Sequence, residues 1–98
     1  MKFMVIATYK DSWYALPPQK QEELINAAQS TYMPKWRESG KVESVYTLGN
    51  MKGVMAVFNL NSPEDLVRIA YENPIFSFFD AQVTPLVDMD VWAKARAK

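Results

Sequence analysis

Residues 73–86 read NPIFSFFDAQVTPL, and the arrangement of the whole chain depends on this stretch. One isoleucine and three phenylalanines stand within residues 75–79, directly before a segment with strand composition. Side chains of this size need a large apolar surface to pack against. A chain of 98 residues has to supply that surface from its own helices or from a second copy of itself.

Four segments have the composition and alternation of β-strands. They are residues 3–8, 41–48, 53–60 and 81–87, and the Gly49-Asn50 turn predicts a hairpin between the second and the third. Pro85 lacks a backbone donor, which favours an edge position or a bulge in the fourth strand.

Two segments between these strands predict helices. The first runs from Pro17 to Gly40, and 3.6-residue spacing puts one set of side chains on its inner side: Leu24, Ile25, Ala28, Thr31, Tyr32 and Lys35. Pro34 interrupts this helix and predicts a kink or a break between Ser30 and Pro34. The second helix begins with Ser62 as N-cap and Pro63 in first position, and Asp65 closes an acidic variant of the capping box.

This order of elements predicts an α+β fold of the ferredoxin-like βαββαβ type, with residues 1–98 forming one domain. In it, two helices cover one face of an antiparallel four-stranded sheet. The first strand nevertheless has Phe3, Val5 and Ala7 on one side and Met4 and Ile6 on the other, so both faces are apolar. An exposed apolar face invites association. The sequence therefore predicts a homodimer with two sheets packed face to face, a dimeric α+β barrel.

Composition excludes several classes of function. Eleven basic residues balance eleven acidic ones, so no overall positive field favours nucleic acid. Cysteine and histidine are absent, which rules out thiolate and Ser-His-Asp chemistry and removes the commonest metal ligand. No apolar run approaches the length of a membrane span or of a signal peptide. We expect a cytoplasmic protein without metal or cofactor and without a nucleic-acid or membrane partner.

Three short blocks of this chain resemble the muconolactone isomerase family of dimeric α+β barrels. They are SGK at residues 39–41, FNLNSPEDL at 58–66, and residues 74–86, of which the last is the most specific. The resemblance implies a cofactor-free bacterial catabolic enzyme that moves a proton along an unsaturated lactone through an enolate-like state. It also implies assembly into dimers or rings of dimers. The first strand and residues 8–14 depart from the isomerase pattern.

A proton shuttle needs a base, and only Asp, Glu, Lys and Tyr can supply one here. Asp80 follows an aromatic run, where apolar surroundings would raise its pKa toward a useful range. Lys35 faces the inner side of the first helix if that helix continues past Pro34, and a desolvated lysine can act as a base or bind a carboxylate. Structural roles are the alternatives for both, and they are the commoner ones: Asp80 as a turn residue and Lys35 as a side chain that reaches solvent at a kink.

Five further residues are candidates for substrate binding: Tyr14, Tyr32, Trp36, Arg37 and Tyr46. Aromatic side chains can line a pocket for a planar ligand and offer hydroxyl donors, and a guanidinium can clamp a carboxylate. Core packing of the aromatic residues and solvation of Arg37 are the plain alternatives. Tyr14 follows the first strand, at a position suited to a ligand lid or a subunit contact.

Two functions remain open from the sequence. The first is a small cofactor-independent isomerase, lyase or cyclase that acts on an apolar or carboxylate-bearing lactone or carbonyl compound. The second is a non-catalytic dimeric module that binds a small hydrophobic ligand or serves as an assembly partner. An ionisable side chain inside a pocket would favour the enzyme, and a purely apolar and aromatic cavity would favour binding.

Overall fold

A computed structural model describes residues 1–97, and a four-stranded antiparallel sheet forms its centre. The strands are β1 (Lys2–Tyr9), β2 (Val42–Thr47), β3 (Gly53–Asn59) and β4 (Phe79–Leu86), in the spatial order β2-β3-β1-β4. This is the predicted ferredoxin-like sheet. Pro85 lies in β4, which is an edge strand as its missing donor requires.

In the described part of the chain, five α-helices connect or follow the strands: α1 (Asp11–Tyr14), α2 (Pro18–Ala27), α3 (Met33–Glu38), α4 (Pro63–Glu72) and α5 (Met89–Arg96). The short α1 and the C-terminal α5 were not predicted from the sequence. Every residue of α5 is exposed. Within residues 1–97, no helix has the length and apolar character needed to cross a membrane.

Strand register assigns each side chain to one of the two faces of the sheet. Val5 lies between Ala56 of β3 and Val83 of β4, whereas Ile6 lies between Met55 and Gln82. Residues directly opposite each other share a face, so the two sets point in opposite directions. We call the face with Val5 the inner face and the face with Ile6 the outer face.

The hydrophobic core lies on the inner face, between the sheet and helices α3 and α4. Its buried members are Phe3, Trp36, Val42, Ala56, Phe58, Leu60 and Ile69. Trp36 is 2% exposed and contributes the largest side chain of this group. The outer face carries Met4, Ile6, Met55 and Val57, which are half-buried. Both faces are therefore apolar, as the sequence predicts, and the core occupies only one of them.

The irregularity predicted before Pro34 is a π-helical turn over Ala28–Tyr32, between α2 and α3. Pro34 has no N–H for the carbonyl of Ser30, and a wider turn accommodates that missing bond. The turn also changes the phase of the helix. Met33 and Trp36 now face the core, while Thr31 and Lys35 are exposed. The predicted inner position of Lys35 is therefore wrong, because it assumed regular helical spacing through Pro34.

Helix α4 begins where the sequence predicts, with Ser62 as N-cap and Pro63 in the first turn. The predicted capping box does not form, since the Ser62 side chain makes no cap hydrogen bond. The backbone N–H of Asp65 donates instead to the Ser62 carbonyl over 3.2 Å. The Asp65 carboxylate pairs with Arg68 at 2.8 Å. The acidic first turn still suits the positive end of the helix dipole.

Gly53 opens β3 at a position that no other residue can occupy without a shift of the backbone. A Cβ built on Gly53 would collide with the carbonyl oxygen of Ala7. The hairpin turn before it places Met51 at a φ of 62°. The turn is held by the Leu48 N–H, which donates to the Gly53 carbonyl over 2.9 Å. The close approach of β1 and β3 therefore depends on glycine at this position.

Candidate functional site

A cavity of about 320 Å³ lies between the inner face of the sheet and the helices. The sheet supplies its floor through Val5, Ala7, Val45, Val54, Ala56, Phe58, Phe79, Ala81 and Val83. Helices α3 and α4 and the segment that follows α4 supply the other walls. This volume is at the small end of the range for ligand sites. The cavity is a concave space already formed between the sheet and the helices, as is usual for such sites.

The cavity wall is almost entirely apolar. Among the described residues that line it, Asn73 is the only polar one. The backbone N–H of Ile75 donates to Asn73 Oδ1 over 3.0 Å. The Nδ2 group is the remaining hydrogen-bonding group of this side chain. Asn73 thus supplies the one side-chain amide of an otherwise apolar wall among the described residues.

Trp36 forms one wall of the cavity, and a carboxylate fixes its ring. The indole Nε1 of Trp36 donates to Glu72 Oε2 over 3.0 Å. Lys35 Nζ donates to the other oxygen of the same carboxylate, Oε1, over 3.4 Å. The two partners stand on α3 and the carboxylate on α4, so Glu72 links both helices behind the cavity wall.

The hydrogen bond from Trp36 holds the pKa of Glu72 below its usual range, and the nearby charges of Lys35 and Lys41 act in the same direction. A carboxylate in this state is a weak proton acceptor. Its side chain is 38% exposed, so water weakens each of these interactions. Glu72 is therefore better suited to hold the indole than to take a proton from a substrate.

Lys35 and Asp80, the two predicted catalytic residues, both lie outside the cavity lining. The Lys35 side chain is 62% exposed and ends at Glu72. Asp80 is exposed and pairs with Thr8 in the register of β1 and β4. Its neighbours Phe79 and Ala81 line the cavity, which puts Asp80 on the outer face. The structure therefore does not bring Lys35 and Asp80 to one place.

The predicted binding residues are also divided between regions. Trp36 lines the cavity, and Tyr32 packs against it with ring centroids 5.9 Å apart. Tyr46 is 60% exposed and pairs with Met55 on the outer face. Arg37 is exposed in the last turn of α3, and Tyr14 is 56% exposed. Of the five residues, Trp36 alone belongs to the cavity wall, with Tyr32 behind it.

An aromatic cluster stands where β1 ends and β4 begins. Tyr9 stacks on Trp13 at 4.9 Å and contacts Phe79 at the same centroid distance, while Tyr14 meets its edge at 6.2 Å. Burial raises the pKa of the Tyr9 hydroxyl, and Tyr14 adds to this effect. Phe79 extends from this cluster into the cavity wall. The aromatic run at residues 75–79 thus packs against residues of the same chain.

Sequence reasoning missed Glu72 and Asn73 as functional residues. One signal was available for Glu72, since a carboxylate in the last turn of a helix meets the negative end of the dipole and needs a compensating partner. That signal does not identify Trp36, which is distant in the chain. Asn73 stands directly before Pro74, a pattern that indicates only the end of a helix. Within residues 1–97, no three acidic side chains are grouped closely enough to hold a metal ion.

Two of the solved structures that share the fold of this chain are enzymes. Muconolactone isomerase, known from a crystal structure at 3.3 Å, superposes with a TM-score of 0.72 at 23% identity over 90% of each chain. The 5-chloro-2-hydroxyhydroquinone dehydrochlorinase of Burkholderia phenoliruptrix AC1100, in complex with 2,5-dihydroxybenzoquinone, gives a TM-score of 0.64 at 18% identity. That match covers 89% of this chain and 94% of the dehydrochlorinase. At these identities the likeness shows the fold.

The sequence itself carries the family relationship. No curated protein sequence matches this chain. The profile of the muconolactone delta-isomerase family, however, matches residues 1–90, which is most of the chain. It includes the three blocks that carried the resemblance as well as the divergent first strand. The chain therefore belongs to the muconolactone delta-isomerase family.

Proposed function

We propose that this protein is a small cofactor-independent enzyme that isomerises a lactone or a related carbonyl compound by proton transfer in the cavity between sheet and helices. The observation that supports this most directly is the preformed apolar cavity with one amide donor, in a chain that belongs to an isomerase family. The proposal extends to related lyase or cyclase chemistry, which passes through the same kind of enolate-like state.

Asn73 has a defined part in this proposal. Removal of a proton next to a carbonyl builds negative charge on the carbonyl oxygen. An amide N–H from Asn73 Nδ2 would stabilise that charge. The hydrogen bond from the Ile75 N–H to Asn73 Oδ1 fixes the amide before the substrate arrives. Asn73 would thus serve as the donor to the developing oxyanion.

The described cavity lining contains no base, so the two residues predicted from the sequence, Asp80 and Lys35, which lie outside that lining, are tested as alternatives. Asp80 reaches a substrate only from the outer face of the sheet, while Asn73 serves the cavity on the inner face. Substituting Asp80→Asn distinguishes these positions. Loss of turnover with an intact fold would support a reaction on the outer face, and full turnover would remove Asp80 from the mechanism.

We propose in addition that the protein forms a homodimer or a ring of dimers through the outer face. Met4, Ile6, Met55 and Val57 form an apolar strip there on the two central strands. Contact between two such strips would remove apolar surface from water, at a gain of about 25 cal/mol per Å². A cytoplasmic location and independence from cofactors remain predictions from the sequence.

Hydrogen exchange tests the catalytic proposal directly. Wild-type protein is incubated with muconolactone and related enolisable lactones in deuterated buffer, and deuterium incorporation is followed by NMR. Ala81→Phe places a large ring in the cavity, and Gln82→Phe places the same ring on the outer face one residue later. Exchange that survives Gln82→Phe but not Ala81→Phe supports the cavity as the site. The opposite pattern would move the site to the outer face.

One observation favours a second function, a module that binds a small hydrophobic ligand without catalysis. No ionisable side chain is found among the described residues that line the cavity. A bare apolar wall is sufficient for binding and lacks a base of its own. Ligand binding without deuterium incorporation for any lactone in the panel would favour this function over the isomerase.

A further inference from the structure

We infer that Glu72 is a positioning residue of the proposed site: it holds the Trp36 indole in a fixed place relative to the Asn73 amide and thereby keeps the cavity in the shape that binds a ligand. This inference rests on the proposed function, because it concerns the same cavity. It adds a residue that lies outside the cavity lining and acts through the wall.

The Glu72 carboxylate stands at a place that helix α4 itself disfavours. Glu72 is the last residue of α4, where a negative charge meets the negative end of the helix dipole. The compensation comes from α3, since the Trp36 indole and the Lys35 ammonium donate to the two carboxylate oxygens. A residue that breaks a local rule and depends on distant partners is expected where function requires it. The partner that this carboxylate serves at the cavity is Trp36.

Trp36 is held both at its backbone and at its ring. Its carbonyl accepts from the Lys41 N–H and from the Ser39 hydroxyl, each over 3.0 Å. Its ring packs against Tyr32, and the hydrogen bond to Glu72 adds a directional constraint on the indole. Because Trp36 is only 2% exposed, loss of that acceptor would leave a buried N–H without a partner. The indole would then be expected to leave its place in the wall.

Glu72 also connects this wall to the polar group of the cavity. The next residue is Asn73, the only polar side chain among the described residues of the lining. The Asn73 N–H donates to the Ile69 carbonyl over 3.1 Å, which fixes Asn73 to the end of α4. The hydrogen bond between Trp36 and Glu72 therefore ties the wall on α3 to the segment that carries the amide. A wall and an amide that are already in place reduce the cost of ordering them when a ligand binds.

Fluorine NMR of protein labelled with 5-fluorotryptophan tests the position of the indole. The chain has three tryptophans, Trp13, Trp36 and Trp92, and the Trp36 resonance is assigned with Trp36→Phe. Wild type should give one narrow Trp36 resonance. Glu72→Leu offers no acceptor, so this resonance should broaden or split, whereas Glu72→Gln keeps an acceptor and should leave it narrow. Trp92, which is 57% exposed on α5, serves as the internal reference.

Calorimetric titration with 2-naphthol tests the effect on binding. This neutral probe offers fused rings to the apolar walls and a hydroxyl oxygen to the Asn73 amide. Glu72→Leu should bind it about fivefold more weakly than wild type, as expected if the indole occupies the wall for about a fifth of the time. Glu72→Gln should stay within about twofold of wild type, because the acceptor remains.

Glu64→Leu provides the matched control for this titration. It makes the same change at an exposed position in the first turn of α4, outside the cavity lining. The affinity for 2-naphthol and the Trp36 resonance should both equal those of wild type.

The possible failures separate this inference from the proposed function. If Glu72→Leu keeps the wild-type resonance or the wild-type affinity, or if Glu72→Gln behaves like Glu72→Leu, the positioning role is overturned while the cavity remains a ligand site. If wild type does not bind 2-naphthol, the ligand site and this role of Glu72 fall together. If wild type and its variants bind as expected but no lactone exchanges deuterium, only the isomerase proposal falls.

Discussion

The two faces of strand β3 carry similar residues in different surroundings. Ala56 and Phe58 point to the inner face and are 7% and 8% exposed, whereas Met55 and Val57 point to the outer face and are half-buried. Apolar character is the same on both sides. The difference comes from the helices, which cover one face only. An apolar side chain therefore indicates a sheet face that has to be covered, whereas the neighbouring helices determine which face is covered.

Phe58→Ala and Val57→Ala should give the largest contrast between the faces. Phe58 lies in the core, so its truncation should lower the free energy of unfolding by about 3–5 kcal/mol through lost burial and a residual cavity. Val57→Ala should cost about 1 kcal/mol in a monomer. Urea denaturation of both variants measures the contrast.

The same unfolding measurements at several protein concentrations test this comparison further. If a second copy covers the outer face, the cost of Val57→Ala should grow with protein concentration, because folding and association are then linked. Equal costs for the two variants at every concentration would contradict the distinction between the faces.

Val57→Lys should break the proposed dimer. A lysine in the middle of two facing apolar strips would bury an unpaired charge in each subunit, at a cost on the order of 3 kcal/mol or more in association free energy. Light scattering should then show the mass of a monomer where wild type shows a dimer or a ring. Gln29→Lys adds the same charge on the exposed side of the π-helical turn and should leave the mass unchanged. Equal masses for all three proteins would remove the outer face as the interface.

The sequence predicts the sheet well because alternation reports directly on strand geometry. The four strands, their hairpin and the edge position of Pro85 all follow from local patterns. The orientation of Lys35 does not, since the π-helical turn before Pro34 shifts the phase of the helix and turns Trp36 inward. A local pattern carries no information on which wider turn a proline will produce. Of the predicted inner stripe, Leu24, Ile25, Ala28 and Tyr32 are half-buried, whereas Thr31 and Lys35 are exposed.

The candidate site was less predictable than the fold, because its contacts join distant parts of the chain. The cavity combines strand residues such as Ala7 with Trp36 and Asn73, and no spacing rule connects them. Asp80 shows that residues close together in the sequence can lie on opposite faces of the sheet. Its apolar neighbours in sequence suggested a buried carboxylate, but neighbours along a strand point to the opposite face. Chain proximity to aromatic residues is thus a poor guide to burial in a strand.

Glu72→Gln should have a smaller effect that depends on pH. Glutamine keeps an acceptor for the Trp36 indole but loses the charge, so the variant should be about 1 kcal/mol less stable than wild type at neutral pH. The pKa of Glu72 is lower in the folded protein than in the unfolded chain. Its contribution to stability is therefore complete above the unfolded value of about 4.3 and is lost as pH falls through the folded pKa.

Denaturation curves of wild type and Glu72→Gln, collected from pH 7 downward, measure this difference. The two stabilities should converge as pH falls from about 4.3, the unfolded value, through the lower folded pKa of Glu72. A difference that stays constant across this range would mean that the charge of Glu72 does not hold the indole. Leu66, which packs against the core on α4, is unaffected by pH and offers a comparison through Leu66→Ala.

Lys35→Met should have the smallest effect on stability and is the most informative about the site. Its ion pair with Glu72 is exposed at both ends, so its loss should change the free energy of unfolding by about 0.5 kcal/mol or less. Lys20→Met removes a similarly exposed pair with Glu23 from the first turn of α2 and serves as the control.

Since both variants should fold equally well, any difference in deuterium exchange between them is due to Lys35 itself. Loss of exchange in Lys35→Met alone would support the catalytic role predicted for Lys35 from the sequence. The lysine would then act from beyond the Trp36 indole that Glu72 holds. Equal exchange in both variants would make Lys35 a partner of Glu72 alone, and the search for the base would return to the outer face.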